Sequence, residues 1–171
     1  MPTTFLEGLQ SGLSHPALGL DHVTFLVALG VVAALIPARM PLIASFIATA
    51  VIGAVVHAVN FDFPFSEQLV AVSVVVAGAL VGLGLGARQQ IWLPFAAVAG
   101  LLHGYAFGET ILGSDAIVIG AYLIGVVVVC AAIAVGIVLI ASKVLGPADA
   151  GALPLRIALG VFLLVQLIMS S

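Results

Sequence analysis

The sequence predicts an all-α fold: a polytopic helical bundle in a membrane, with about six transmembrane helices. Three observations carry this. Of 171 residues, 64% are hydrophobic, against roughly 45–50% in ordinary globular chains. Only 6% are charged, too few to cover the surface of a soluble domain of this size. The apolar residues also fall in runs long enough to cross a bilayer, which takes about 20 residues. A cytosolic enzyme and a disordered chain are thereby excluded. So is a nucleic-acid binder, which needs a basic face. The net charge of -3 is too small to imply a charged partner, and the lipid bilayer is the partner that the composition demands.

Residues 1–14 contain no Lys or Arg, so they lack the basic start of a secretory signal; a signal removed ahead of them is compatible with this start. Phe5, Leu6, Leu9 and Leu13 fall near helical spacing, with Glu7, Gln10 and Ser11 between them. This reads as a short amphipathic helix on the membrane surface, or else as a flexible N-terminal segment. Residues 15–171 read as a single six-helix membrane domain. The spans are expected at about Pro16–Ile36, Pro41–Phe61, Gln68–Gly86, Ile91–Gly108, Ser114–Ser142 and Leu155–Met169. The fifth is long enough to tilt. Loops holding Pro37, Pro64, Arg88 and Gly146–Pro154 separate them.

Orientation follows from the basic residues. Arg39, Arg88, Lys143 and Arg156 all fall on one side, which the positive-inside rule makes cytoplasmic. Both termini are then outside, and the expected location is a bacterial inner membrane. Glu7, Asp62, Glu67, Glu109 and Asp115 fall outside, Asp149 inside. Gly78, Gly82, Gly84 and Gly86 in the third span, with Gly120 and Gly125 in the fifth, are candidates for close helix contact. The single Cys130 reads as core packing.

Ionisable groups within a membrane are costly, and each asks for a reason. His15, Asp21 and His22 open the first span, His57 ends the second, and His103 and Glu109 end the fourth. With a rise of about 1.5 Å per residue, all lie within about two turns of the outer surface. Neutral imidazole with added carboxylate is a ligand set for Ni²⁺, Co²⁺ or Zn²⁺. The three methionines, Met1, Met40 and Met169, are remote, which argues against Cu(I). Locally, Pro16 is expected to start the helix, with His15 in the chain leading into it. Asp21 and His22 point about 100° apart, so one can ligate while the other orients it. Gly19 leaves room for an ion or a close neighbour, and Gly104 and Gly108 loosen the fourth span so that Glu109 can turn back. Each residue also has a plainer reading: a cap, a hydrogen-bonded pair joining helices, or a solvated charge.

The run His15-Pro16-Ala17-Leu18-Gly19-Leu20-Asp21-His22 resembles the His-Pro-x-x-Gly-x-Asp-His signature of the HupE/UreJ family. Those small membrane proteins are regarded as nickel, sometimes cobalt, permeases serving hydrogenase and urease maturation. The stretch His103-Gly104-Tyr105-Ala106-Phe107-Gly108-Glu109 resembles the family's second motif. It departs from it at Phe107, where many members carry a second His, and in Glu109 following Gly108 directly. The resemblance implies nickel uptake.

The function expected is a permease, not an enzyme, for a divalent transition metal: Ni²⁺ first, Co²⁺ or Zn²⁺ as alternatives. The ion is cargo, with no fixed prosthetic group. It would meet His15, Asp21, His22 and His103, assisted by His57 or Glu109; for the onward path the inner half offers only Ser, Thr, Asn and backbone groups, such as Ser45, Thr49 and Ser73. Protonation of the imidazoles opposes binding, so affinity should fall below about pH 6. One rival is an intramembrane zinc hydrolase in which Ser14 assists. Another is a structural or assembly subunit of a larger membrane complex. A second copy or a complex partner is allowed.

Overall fold

The computed structural model describes residues 1–59, 63–144 and 160. Among these residues six α-helices follow one another: α1 (Phe5–Leu18), α2 (Leu20–Leu35), α3 (Arg39–Ala58), α4 (Ser66–Gly82), α5 (Gln89–Gly108) and α6 (Ala116–Val144). A 3-10 turn, Glu109–Ile111, extends α5. Among the described residues there is no strand, and the fold is the expected all-α membrane bundle. By length and composition α3, α5 with its turn, and α6 can each cross a membrane. A fourth crossing is made if α1 and α2 count as one broken span. The expected spans two to five correspond to α3, α4, α5 and α6. The sixth, at Leu155–Met169, lies outside the described residues except for Gly160, as do Asp62, Asp149 and Arg156.

The first span differs from expectation. It is not one helix from Pro16, but two helices bent by 74° at Gly19. Pro16 sits inside α1 and His15 in its last turn. The chain starts its helix earlier because Thr4 and Glu7 form a capping box: the Thr4 side chain accepts from Glu7 N, and Glu7 Oε2 accepts from Thr4 N at 3.2 Å. Such reciprocal capping satisfies donors that a helix start leaves open. Gly19 then turns the chain with an extended backbone, φ -76° and ψ 114°, closing α1 and opening α2. Its N–H still reaches His15 O and its carbonyl still accepts from Val23 N.

α1 is docked along α6 rather than lying free. The residues it buries are Gly8, Gly12 and Pro16, while Phe5 and Leu6 face away from the protein. A Cβ at Gly8 would lie 2.7 Å from Val118 O, and one at Gly12 would strike Tyr122 O. Gly125 completes the seam against Leu9 and Leu13. α3 and α5 meet in the same manner. Cβ atoms at Gly100, Gly104 and Gly108 would run into Phe46, Ala50 and Ala54 in turn, and one at Gly53 into Leu101 O. In both seams the register rises together, so the paired helices run in the same direction. The glycines expected to allow close contact do so only in part. Gly82 and Gly120 face open space. Gly108 and Gly104 tighten α5 onto α3 instead of loosening its end.

Small residues let backbones pack where no hydrophobic force joins apolar helices. A methyl at the seam must displace backbone, at a cost of about 1–3 kcal/mol. Gly104→Ala should therefore lower thermal stability in detergent by that amount. Gly120→Ala, followed by the same circular-dichroism melt, should be neutral or stabilise by up to about 1 kcal/mol.

Candidate metal centre

The break at Gly19 sets His15 and the Asp21–His22 pair on either side of one bend. A Cβ on Gly19 would lie 2.5 Å from His22 Cδ2, so the room that Gly19 leaves is filled by the His22 ring. Asp21 stands at the open N-terminus of α2, where a carboxylate is favoured by the unpaired N–H groups. Its Oδ1 accepts from His22 N at 2.8 Å and lies 3.9 Å from His22 Nε2. The Asp21 side chain is 46% exposed, the His22 side chain 7%.

α5 brings the third imidazole. His103 is fully buried, with Phe25 at 4.7 Å and Phe46 at 5.8 Å between ring centroids. Its Nδ1 is 2.8 Å from His22 Nδ1, and its Nε2 is 3.0 Å from Ser73 Oγ on α4. His15 is nearer the surface. Its ring centroid is 5.9 Å from that of His22, and its Nδ1 is 2.7 Å from Thr110 Oγ1. The buried Phe107 ring stands edge-on to both, 4.6 Å from His22 and 5.6 Å from His15. The Tyr122 hydroxyl donates to the Phe107 carbonyl at 2.8 Å, tying α6 to this wall.

The candidate residues thus separate. His15, Asp21, His22 and His103 gather at the Gly19 bend. His57 turns elsewhere: its Nδ1–H donates to Tyr105 O at 2.8 Å, and its ring lies 4.2 Å from that of Tyr105. Glu109 is exposed on the 3-10 turn. With Met1, Glu7, Gln10, Ser14 and Thr110, among others, it lines a depression of about 650 Å³, and the Thr110 hydroxyl there pairs with His15. Glu109 does not turn back toward His103, because Gly108 is pressed on Ala54 and His57. The Ser14 hydroxyl donates to Gln10 O at 2.8 Å, within its own helix. Among the described residues no three His, Cys, Asp or Glu side chains converge closely enough to hold an ion as they stand.

Two site neighbours went unassigned from the sequence, Phe107 and Thr110, and a third, Ser73, was placed elsewhere. Ser73 was expected on the inner path, whereas it touches His103 directly. No short-range signal marks it, since the contact joins residues 30 positions apart.

The family model described as HupE / UreJ protein matches residues 2–167, and so takes in both His-bearing stretches. The chain belongs to the HupE/UreJ family. With its apolar helices, this makes it an integral membrane protein. Among curated proteins it is similar to Protein HupE of Rhizobium leguminosarum bv. viciae, 27% identical over 104 residues. That alignment covers 60% of this chain and 54% of the relative, so the chain spans about half the length of the curated protein it matches. No solved structure matches it.

Removing a buried hydrogen-bonding partner leaves the other group unsatisfied, at about 1–3 kcal/mol. His103→Leu should therefore destabilise the detergent-solubilised protein by about that much. His57→Leu, which frees only a half-buried pairing, should lower the melting midpoint less.

Proposed function

We propose that the protein is a permease for a divalent transition cation, Ni²⁺ first and Co²⁺ as the alternative. The observation that carries this reading is the gathering of three imidazoles and a carboxylate at one break in a membrane helix. Irregular backbone at membrane depth is tolerated where it lines a cavity or a site, and broken helices bear the ion sites of many transporters. In this reading the cation sheds water in the depression beside Glu7 and Glu109. It is then taken by His15, Asp21 and His22. His103 holds His22 from behind, as partners of metal-binding imidazoles generally do. The side chains must draw together by a small movement, for which the Gly19 bend is the compliant joint. Arg39 and Arg88 at the starts of α3 and α5, and Lys143 in the last turn of α6, support a cytoplasmic placing of the opposite end. The site then faces outward across the inner membrane.

The direct His22–His103 contact also suits a structural subunit in which the polar group joins helices. Metal binding separates the two. Purified protein should bind Ni²⁺ or Co²⁺ in a one-to-one ratio by calorimetry. Asp21→Asn should weaken binding, and the His22→Ala/His103→Ala double variant should abolish it. Affinity should also fall in acid, because protons and the cation compete for the same nitrogens. Absence of stoichiometric metal in the unaltered protein would leave the structural role in front.

A further inference from the structure

Ser73, Val70, His103 and His22 form a hydrogen-bonded chain whose direction can be deduced from donors and acceptors alone. The Ser73 hydroxyl lies 2.7 Å from Val70 O. A carbonyl can only accept, so the single hydroxyl proton is committed to it. Ser73 Oγ therefore meets His103 Nε2, 3.0 Å away, as an acceptor, and His103 carries its proton on Nε2. A neutral imidazole has one N–H and one lone pair, so His103 Nδ1 is bare. It accepts from His22 Nδ1–H across 2.8 Å. His22 Nε2 is then the bare nitrogen, and this is the atom on the side of Asp21. Both Ser73 and His103 are buried, 4% and 0% exposed, so solvent does not offer replacement partners.

From this geometry we infer that Ser73 is a positioning residue: through His103 it fixes the tautomer of His22 and so presents His22 Nε2, unprotonated, to the cation. The functional half of this inference rests on the metal-binding reading; the tautomer half does not. Without the Ser73 hydroxyl, a proton on His103 Nε2 would have no acceptor in its apolar surroundings. The chain would reverse: His103 Nδ1–H would donate to His22 Nδ1, and His22 would carry its proton on Nε2, drawn by the Asp21 carboxylate. A cation would then have to displace that proton.

The test uses ¹⁵N-histidine-labelled full-length protein in nanodiscs, metal-free, at about pH 8, above the imidazole range. Nitrogen shifts distinguish protonated from bare ring nitrogens. In the unaltered protein His103 should be protonated at Nε2 and His22 at Nδ1. In Ser73→Ala both should switch, and Ser73→Thr, which keeps the hydroxyl, should restore the original pattern. Co²⁺ added alone and followed by its absorption bands should bind about 10- to 100-fold more weakly to Ser73→Ala, and to Ser73→Thr nearly as to the unaltered protein. The reverse tautomers in the unaltered protein would overturn the inference even if Ser73→Ala does not fold. Unchanged tautomers in Ser73→Ala, or switched tautomers with unchanged Co²⁺ affinity, would overturn it too. If the unaltered protein shows the expected tautomers yet binds no Co²⁺, the permease reading fails while the assignment of the chain stands.

Discussion

Where Gly104 lies on Ala50 and Gly12 on Tyr122, two helices approach until one methyl group would not fit. That proximity is what the rest of the protein is built around. Apolar side chains gain little by leaving lipid for each other, so helix association here must come from close dispersion contact, which needs small residues. The two seams fix α1 on α6 and α3 on α5. α2 and α4 are placed beside these pairs, and every imidazole that gathers at the bend is carried by a seam helix or by α2. The core side chains Phe25, Phe46, Trp92, Phe107 and Tyr122, all essentially unexposed, fill the space left between the pairs.

The polar group at the bend resolves into layers. Asp21 and His15 are open to the surface side, His22 is almost enclosed, and His103 is sealed behind aromatic rings. Polar atoms removed from water must find partners, and the four residues from Val70 to His22 do so in one unbroken sequence. A buried network that is fully satisfied is rigid. The arrangement therefore joins a half-exposed outer carboxylate, Asp21, to an enclosed and rigid inner part.

Composition and run length were enough to read the fold class, because burial in lipid leaves little choice of secondary structure. They also sufficed for the approximate limits of α3 to α6. The start of the chain was harder. Thr4-Phe5-Leu6-Glu7 carries a legible capping signal, and a short helix was expected there, but Pro16 suggested a separate helix starting eleven residues after the first residue of α1. The break falls at Gly19 because Pro16, near the end of α1, is tolerated within it, and because Gly19 adopts an extended backbone where α2 begins. The gathering of His15, Asp21, His22 and His103 was legible in part, since residues expected at one depth on neighbouring spans can meet. Depth says nothing of azimuth, which is why His57 was grouped with them although it turns to Tyr105; Glu109 stays on the outer 3-10 turn. Ser73, Thr110 and Phe107 depend on which helices are neighbours, and that information sits in the glycine seams.

A helix gripped along one stripe of glycines cannot roll about its own axis without driving backbone into backbone. His15 follows Gly12 by three residues, and His103 follows Gly100 by three. In both helices the imidazole therefore projects at the same angle from its seam, about 60° round the cylinder. The aim of each ring is set by contacts just under one turn earlier in its own helix. Glycines that carry no side chain of their own are in this sense the sights of the two rings.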